Sequence, residues 1–179
     1  MKITKELLKE KGACVDGYRD FLKEYPVDKY PDGVEYQELL DCCAEKNFSY
    51  GSWLLGKFGK TDEVRKIDGD LIVEKGIIFA GQLEAKGCIE AGWGIKAGCS
   101  IKTSCGIKAG DGIEAGYNIK AGCGIEAGDG IEVGDEFGIY AGLCCRVTNK
   151  TLRKIIAKER PENIMCGEFE EKSDSEGKA

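Results

Sequence analysis

Two side-chain types in this chain have the numbers and spacing to do chemistry: cysteine and carboxylate. Cysteine occurs ten times, with adjacent pairs at Cys42-Cys43 and Cys144-Cys145. No C-x-x-C is present, so the spacings of zinc knuckles and thioredoxin-type sites are missing. The segment Met1–Glu10 is charged where a secretion signal needs an apolar run. The chain therefore reads as cytoplasmic, with its cysteines as thiols. Carboxylates crowd one stretch as Glu126, Asp129, Glu132, Asp135 and Glu136. Such a group at the end of a rod competes for a basic nucleic-acid site on a partner, as a DNA mimic does, although lysines interrupt the track. Histidine is absent. That removes the commonest general base, the Ser-His and Cys-His nucleophile pairs and every His-containing metal site. No catalytic, cofactor-binding or metal-binding residue is assigned, and the chain reads as non-enzymatic.

The elements that must position these residues are set by a repeat. From Leu71 to Glu136 a large apolar residue recurs every six, at Leu71, Ile77, Leu83, Ile89 and onward to Ile131. The third position is Ala in most hexads, with Val73, Phe79, Thr103 and Val133 as variants. The second, from Glu84 onward, is always Glu or Lys. Positions one and three face in and position two faces out, which is strand alternation. Gly dominates positions four and six, and it is expected there because corners need backbone conformations that a Cβ penalises. The 26 glycines do not follow a three-residue period and only 3 prolines accompany them, so collagen is excluded. Three-residue strands with three-residue corners predict a solenoid of parallel strands. Charge pairing fits a turn of two hexads about as well as one of three; the general behaviour of six-residue β-helix repeats favours three, which puts partners eighteen residues apart. Glu84 then faces Lys102, Glu90 faces Lys108, Lys96 faces Glu114 and Lys108 faces Glu126. Lys102 and Lys120 meet as like charges, as do Glu114 and Glu132. The same register puts Cys105 over Cys123.

Residues 1–66 read as a helical domain. Thr4 caps a helix over Lys5–Lys11, and Gly12 stops it. Val15–Tyr25 carries Val15, Tyr18, Phe21 and Leu22 at helical spacing and ends at Pro26. Glu35–Lys46 aligns Tyr36, Leu39, Leu40 and Cys43, and Ser49–Phe58 carries Trp53, Leu54 and Leu55. These aromatics form a small bundle core, with Tyr50 and Trp53 the residues best suited to anchor an interface. This bundle caps the first coil turn. Residues 67–143 form the coil. Residues 144–172 form a short β cap, with strands over Lys154–Lys158 and Ile164–Phe169; a helix over Thr151–Glu159 is the alternative. Ser173–Ala179 is a disordered tail. The fold class is α+β.

The hexad period resembles that of the left-handed β-helix acyltransferases, which implies a left-handed coil. In that family the small residue precedes the large aliphatic by two and a histidine is catalytic, and neither holds here. An acyltransferase-like activity is the minor alternative. The run of A-G-x-x-I-x-A-G words from Ile89, closed by Ile139-Tyr140-Ala141-Gly142-Leu143 and Ile164-Met165-Cys166-Gly167, resembles a group of little-characterised small proteins carried by phages and prophages. That resemblance implies a mobile-element origin and carries no site residues. The net charge of −6 disfavours nucleic acid and anionic membranes, and no apolar stretch is long enough to span a bilayer. The expectation is a protein-binding module that inhibits a host defence protein, contacting it through Tyr50 and Trp53 or through Glu126, Asp129, Glu132, Asp135 and Glu136. The alternative is a structural scaffold that self-associates through the coil as a homo-oligomer.

Overall fold

The computed structural model describes residues 1–146 and 148–173; the expected tail lies outside them, apart from Ser173. The Thr4 hydroxyl accepts the Leu7 N–H at 3.3 Å and starts α1 (Lys5–Glu10). Cys14 Sγ accepts the Gly17 N–H at 3.3 Å and starts α2 (Val15–Glu24). Val15, expected on the buried side, is 80% exposed. As the first helical residue it lies outside the stripe, and Phe21 and Tyr25 carry the inward side instead. Next come α3 (Tyr36–Lys46) and α4 (Phe48–Phe58). Lys2–Ile3 and Val34–Glu35 pair as a short antiparallel ribbon that no sequence pattern announced. Ile3, Leu8, Phe21, Val34, Tyr36, Leu40 and Leu54 are the buried centre of this head.

From Val64 the chain winds as a parallel three-faced β-solenoid of about six turns, to Glu171. The first face starts at Val64–Ile67, the second at Leu71–Val73 and the third at Ile77–Phe79. Partners along each face are eighteen residues apart: Ile89, Ile107 and Ile125 stack on the second face, and Ile95, Ile113 and Ile131 on the third. The charge register is the expected one, with Glu84 beside Lys102 and Lys108 between Glu90 and Glu126. Lys102–Lys120 and Glu114–Glu132 are the like-charged neighbours. The interior is one column of buried isoleucines and alanines. Each isoleucine so enclosed is worth about 1.5–3 kcal/mol against exposure, and this column is what holds the short strands together.

The glycines act differently from the expectation. Positive φ occurs at Gly12, Gly33, Gly59, Gly142 and Gly167, none of them in the hexads. At position four the constraint is proximity. A Cβ on Gly128 would overlap the carbonyl oxygen of Gly110 one turn below and lie 2.6 Å from its carbon. Gly92, Gly98, Gly110 and Gly116 meet the same obstacle. Glu74 and Ala80 carry side chains at this position in the first turn, which has no coil strand beneath it on their faces. Lys86 and Ser104, both on the corner between first and second faces, are exceptions. Position six is roomier: a Cβ on Gly130 would have nothing within 4 Å, and Cys88, Ser100 and Asn118 occupy equivalent places.

The head sits on the third face at its first strand. Ile78, an outward-facing second position, is buried in the head's core. Gly51 of α4 is needed there, since a Cβ on it would run into the Ile78 side chain. The Gln37 amide completes the join. Its Nε2 donates to the Ile78 carbonyl at 2.8 Å, and its Oε1 accepts the Ala80 N–H at 3.0 Å. One side chain thus satisfies a strand edge that would otherwise invite another strand.

The hexad register ends after Val133. Two extra residues put Ile139 over Ile119, with the Gly138 N–H bonded to Asn118 Oδ1 at 3.1 Å. Strands at Lys154–Ala157, Ile164–Cys166 and Glu168–Glu171 then continue the second and first faces in parallel. The residues assigned to a separate cap therefore extend the coil's own sheets. The stretch 158–163 crosses where a third-face strand would have been. Among the described residues no helix is long and apolar enough to cross a membrane.

Candidate partner-binding cleft

The α1–α2 pair stands off from α3 and α4 and leaves a cleft of about 530 Å³ between them. Its apolar wall is Leu8, Phe21, Tyr25, Leu39, Trp53 and Leu54. Helical spacing explains the wall. Phe21 and Tyr25 are four apart on α2, and Tyr50, Trp53 and Leu54 fall on one side of α4. The polar groups are the Cys14, Cys42 and Cys43 thiols, the Asn47 amide, the Tyr25 and Tyr50 hydroxyls and four charged side chains, Asp20, Lys23, Glu24 and Lys46. An ion pair between Glu24 of α2 and Lys46 of α3 ties the two walls at the mouth. It draws the Glu24 carboxyl below, and the Lys46 ammonium above, its ordinary pKa.

Two titratable groups in the wall are held neutral. Burial, with the neighbouring Cys42 second, pushes the Cys43 thiol up to about 12. Burial also raises the Tyr25 phenol, helped by a hydrogen bond with Cys42. Both are protonated at neutral pH and supply neither a nucleophile nor a base. A mostly apolar cleft of a few hundred Å³ with a few polar points is shaped to take apolar side chains or a compact apolar molecule.

The seven residues singled out from the sequence are divided by the structure. Tyr50 and Trp53 are together, half-buried in the cleft wall. The five carboxylates are spread around the last hexad turn. Glu126 lies on the second face, 3.6 Å from both Lys108 and Lys172. Asp129 is on the next corner, 2.6 Å from Lys158. Glu132 is exposed on the third face beside Glu114, and Asp135 and Glu136 are exposed on the corner beyond it. Lysines thus neutralise two of the five, and no single acidic face results. A shallow recess of about 260 Å³ does run along the third face, lined by Lys96, Asp111, Glu114, Asp129 and Glu132.

What the sequence reading missed is the separation of α2 from α3 and α4. No sequence signal announced it: Tyr18 and Leu22 read as an ordinary apolar stripe, and the approach of Gly17 to the Tyr50 ring is a tertiary contact. Fold and cleft together define a parallel β-solenoid protein with a helical head. No protein-family model matches the chain, and no curated protein or solved structure matches it.

Proposed function

We propose that this is a non-enzymatic protein-binding module in which the coil is a stiff support and the head cleft seats an apolar segment of a protein partner. The observation that carries the reading is the cleft: Tyr50 and Trp53, half-buried, stand open to solvent on a wall that continues into the buried head core of Phe21, Tyr25 and Leu54. Aromatic anchors in a desolvated pocket are where binding energy concentrates. The coil suits a support because each turn is fixed to the next by backbone hydrogen bonds and a continuous apolar column. The phage resemblance points to a host defence protein as the partner and to inhibition as the effect.

The test is affinity capture from host cells, repeated with Tyr50→Ala and Trp53→Ala and with Glu132→Gln and Asp135→Asn as controls. The partner found is then purified and titrated by calorimetry, which reads the wild type and every variant alike. The reading requires that the cleft variants lose the partner by tenfold or more, about 1.4 kcal/mol, and that the controls keep it. Loss in the controls alone moves the contact to the acidic end of the coil. Turnover of an acyl-CoA by the pure protein refutes the reading.

One observation favours the scaffold alternative. Val64–Ile67 and Leu71–Val73 are end strands of their faces, and Val64 and Ile72 leave apolar side chains exposed beside them. End-to-end stacking there gives polymers whose size grows with concentration, which light scattering detects.

A further inference from the structure

Half of the cysteines fall on one edge of the coil, the corner between the first and second faces. Cys88, Cys105 and Cys123 occupy it in successive turns, and Cys144 and Cys145 close it in the next. The backbone holds this ladder. The Cys123 N–H donates to the Cys105 carbonyl at 3.0 Å, and the Cys144 N–H donates to the Gly122 carbonyl at 2.9 Å. Side chains then meet in pairs. Cys105 neighbours Cys88, and burial first and then Cys88 raise its thiol pKa. Cys145 Sγ lies 3.8 Å from Cys123 Sγ, and its S–H is also within reach of the Gly122 carbonyl at 3.3 Å. Among the described residues no three Cys, Asp or Glu side chains are grouped to hold a metal ion, so the chemistry open to this corner is pairwise.

We propose that Cys123 and Cys145 are an oxidation site, a dithiol that a hydroperoxide converts into an intrachain disulfide. The Cys145 sulfur attacks the outer peroxide oxygen, the O–O bond breaks, and the leaving group departs as water or alcohol after taking the thiol proton. Cys145 is left as a sulfenic acid. The Cys123 sulfur attacks that sulfur, the S–O bond breaks, and a second water leaves with the Cys123 proton. Two thiols are oxidised by two electrons and one peroxide is reduced. The order follows from placement. Cys145 is on the irregular crossing between Tyr140 and Lys154, whereas Cys123 is fixed in the corner. Burial, and then Cys145 itself, raises the Cys123 thiol to about 11, which suits the second, resolving role better than the first. Closing from 3.8 Å to a bond of about 2.05 Å needs movement, and the crossing can supply it where a strand corner cannot. The bond would clip this crossing, with its exposed Leu143 and Leu152, to the coil.

The experiment uses the full-length reduced protein and equimolar hydrogen peroxide, followed by alkylation of free thiols, digestion and peptide mass mapping. One linked peptide pair carrying Cys123 and Cys145 is expected, with loss of two titratable thiols that dithiothreitol restores. Cys145→Ser and Cys123→Ser abolish the link, and Cys88→Ser and Cys105→Ser retain it. Limited proteolysis within the crossing slows severalfold in the oxidised wild type and is unchanged in Cys145→Ser. Should Cys123→Ser fail to fold, Cys145→Ser decides alone, because its site is outside any strand. A link through Cys88, Cys105 or Cys144 instead, a link between chains, or accumulation of sulfinic acid without any link overturns the proposal.

Discussion

Gly128→Ala and Gly130→Ala, two residues apart on the same corner, isolate the close approach between coil turns. At Gly128 the new Cβ would lie 2.6 Å from the Gly110 carbonyl carbon and nearer still to its oxygen. Ordinary carbon–carbon contact is about 3.5–4.0 Å, so the two turns must part by roughly 1 Å at this corner. The bonds that oppose the parting are the Gly128 N–H to the Asp111 carbonyl at 2.8 Å and to the Ala109 carbonyl at 3.1 Å. Overpacking of this kind costs about 1–3 kcal/mol, and a weakened backbone bond adds about 0.5–1.5. The sum is about 3 kcal/mol. Gly130 has open space and no positive φ. There an alanine restricts the unfolded chain and stabilises by about 0.4–1 kcal/mol. For a chain of this size 1 kcal/mol moves Tm by about 2–4 °C. Thermal unfolding followed by far-ultraviolet circular dichroism should therefore show Gly128→Ala lower by about 6–12 °C and Gly130→Ala unchanged or slightly higher. Equal shifts in the two variants would refute the close-approach account and return the corner glycines to a purely conformational role.

Ile113, 1% exposed in the third-face column, should cost about 3–4 kcal/mol as Ile113→Ala by chemical denaturation, while Ile72→Ala, at a site 64% exposed, should stay within about 0.5. Lys108 stands between Glu90 and Glu126, so Lys108→Glu builds a column of three acids. A loss of about 0.5–1 kcal/mol at low salt that shrinks in 1 M NaCl is expected, and a salt-independent loss would show that packing was disturbed instead. The Cys43 thiol titrates near 12 in the folded protein against an ordinary 9. A pKa raised by folding means that the native state holds its proton longer. This contribution is intact below pH 9 and is lost as pH rises from 9 through 12. Urea midpoints should be flat from pH 7 to 9 and fall above, with a shallower fall in Cys43→Ser; an identical slope in that variant would assign the alkaline loss to the other raised groups, the Cys123 thiol and the Tyr25 and Tyr36 phenols.

The coil was legible because its physics is periodic. One isoleucine every six residues, with Glu or Lys between it and the next small residue, specifies a face and an alternation; the turn length came from the general behaviour of six-residue β-helix repeats, and with it Glu84, Glu90, Lys96 and Lys108 found the expected neighbours. Alternation alone could not distinguish a glycine chosen for its φ from one chosen for the carbonyl beneath it. That distinction depends on the distance between turns eighteen residues apart, which is a tertiary quantity. The strands after Lys154 were visible as strands, but their membership of the coil was not, because the chain between Tyr140 and Lys154 breaks the spacing that a reader follows. Val15 shows the matching weakness in helices: periodicity admits a terminal residue to a stripe before the helix has made the turn that would bury it.

The cleft is illegible for a deeper reason. A repeat announces itself by agreement between many positions, whereas a cleft between helices is a failure of packing that no single position records. Tyr50 and Trp53 have the character of core residues, and a tighter bundle would have buried them as completely as Tyr25 and Leu39 already are. What keeps α2 off α3 and α4 is the rest of the head's commitments. Residues of α3 and α4 are engaged with the first coil turn, through Gln37 on the strand edge and Gly51 against Ile78. The Glu24–Lys46 pair holds the other wall at the mouth. The coil thus fixes the position of one wall of the cleft. A change at the join, such as Gly51→Ala, would act on partner binding without replacing a residue that lines the cleft, through the Ile78 side chain and through Cys43, whose Cβ lies 3.1 Å from the new methyl. Binding weakened by Gly51→Ala, with the coil's circular dichroism unchanged, is the outcome that this coupling demands, and unchanged affinity would make the head an independent unit.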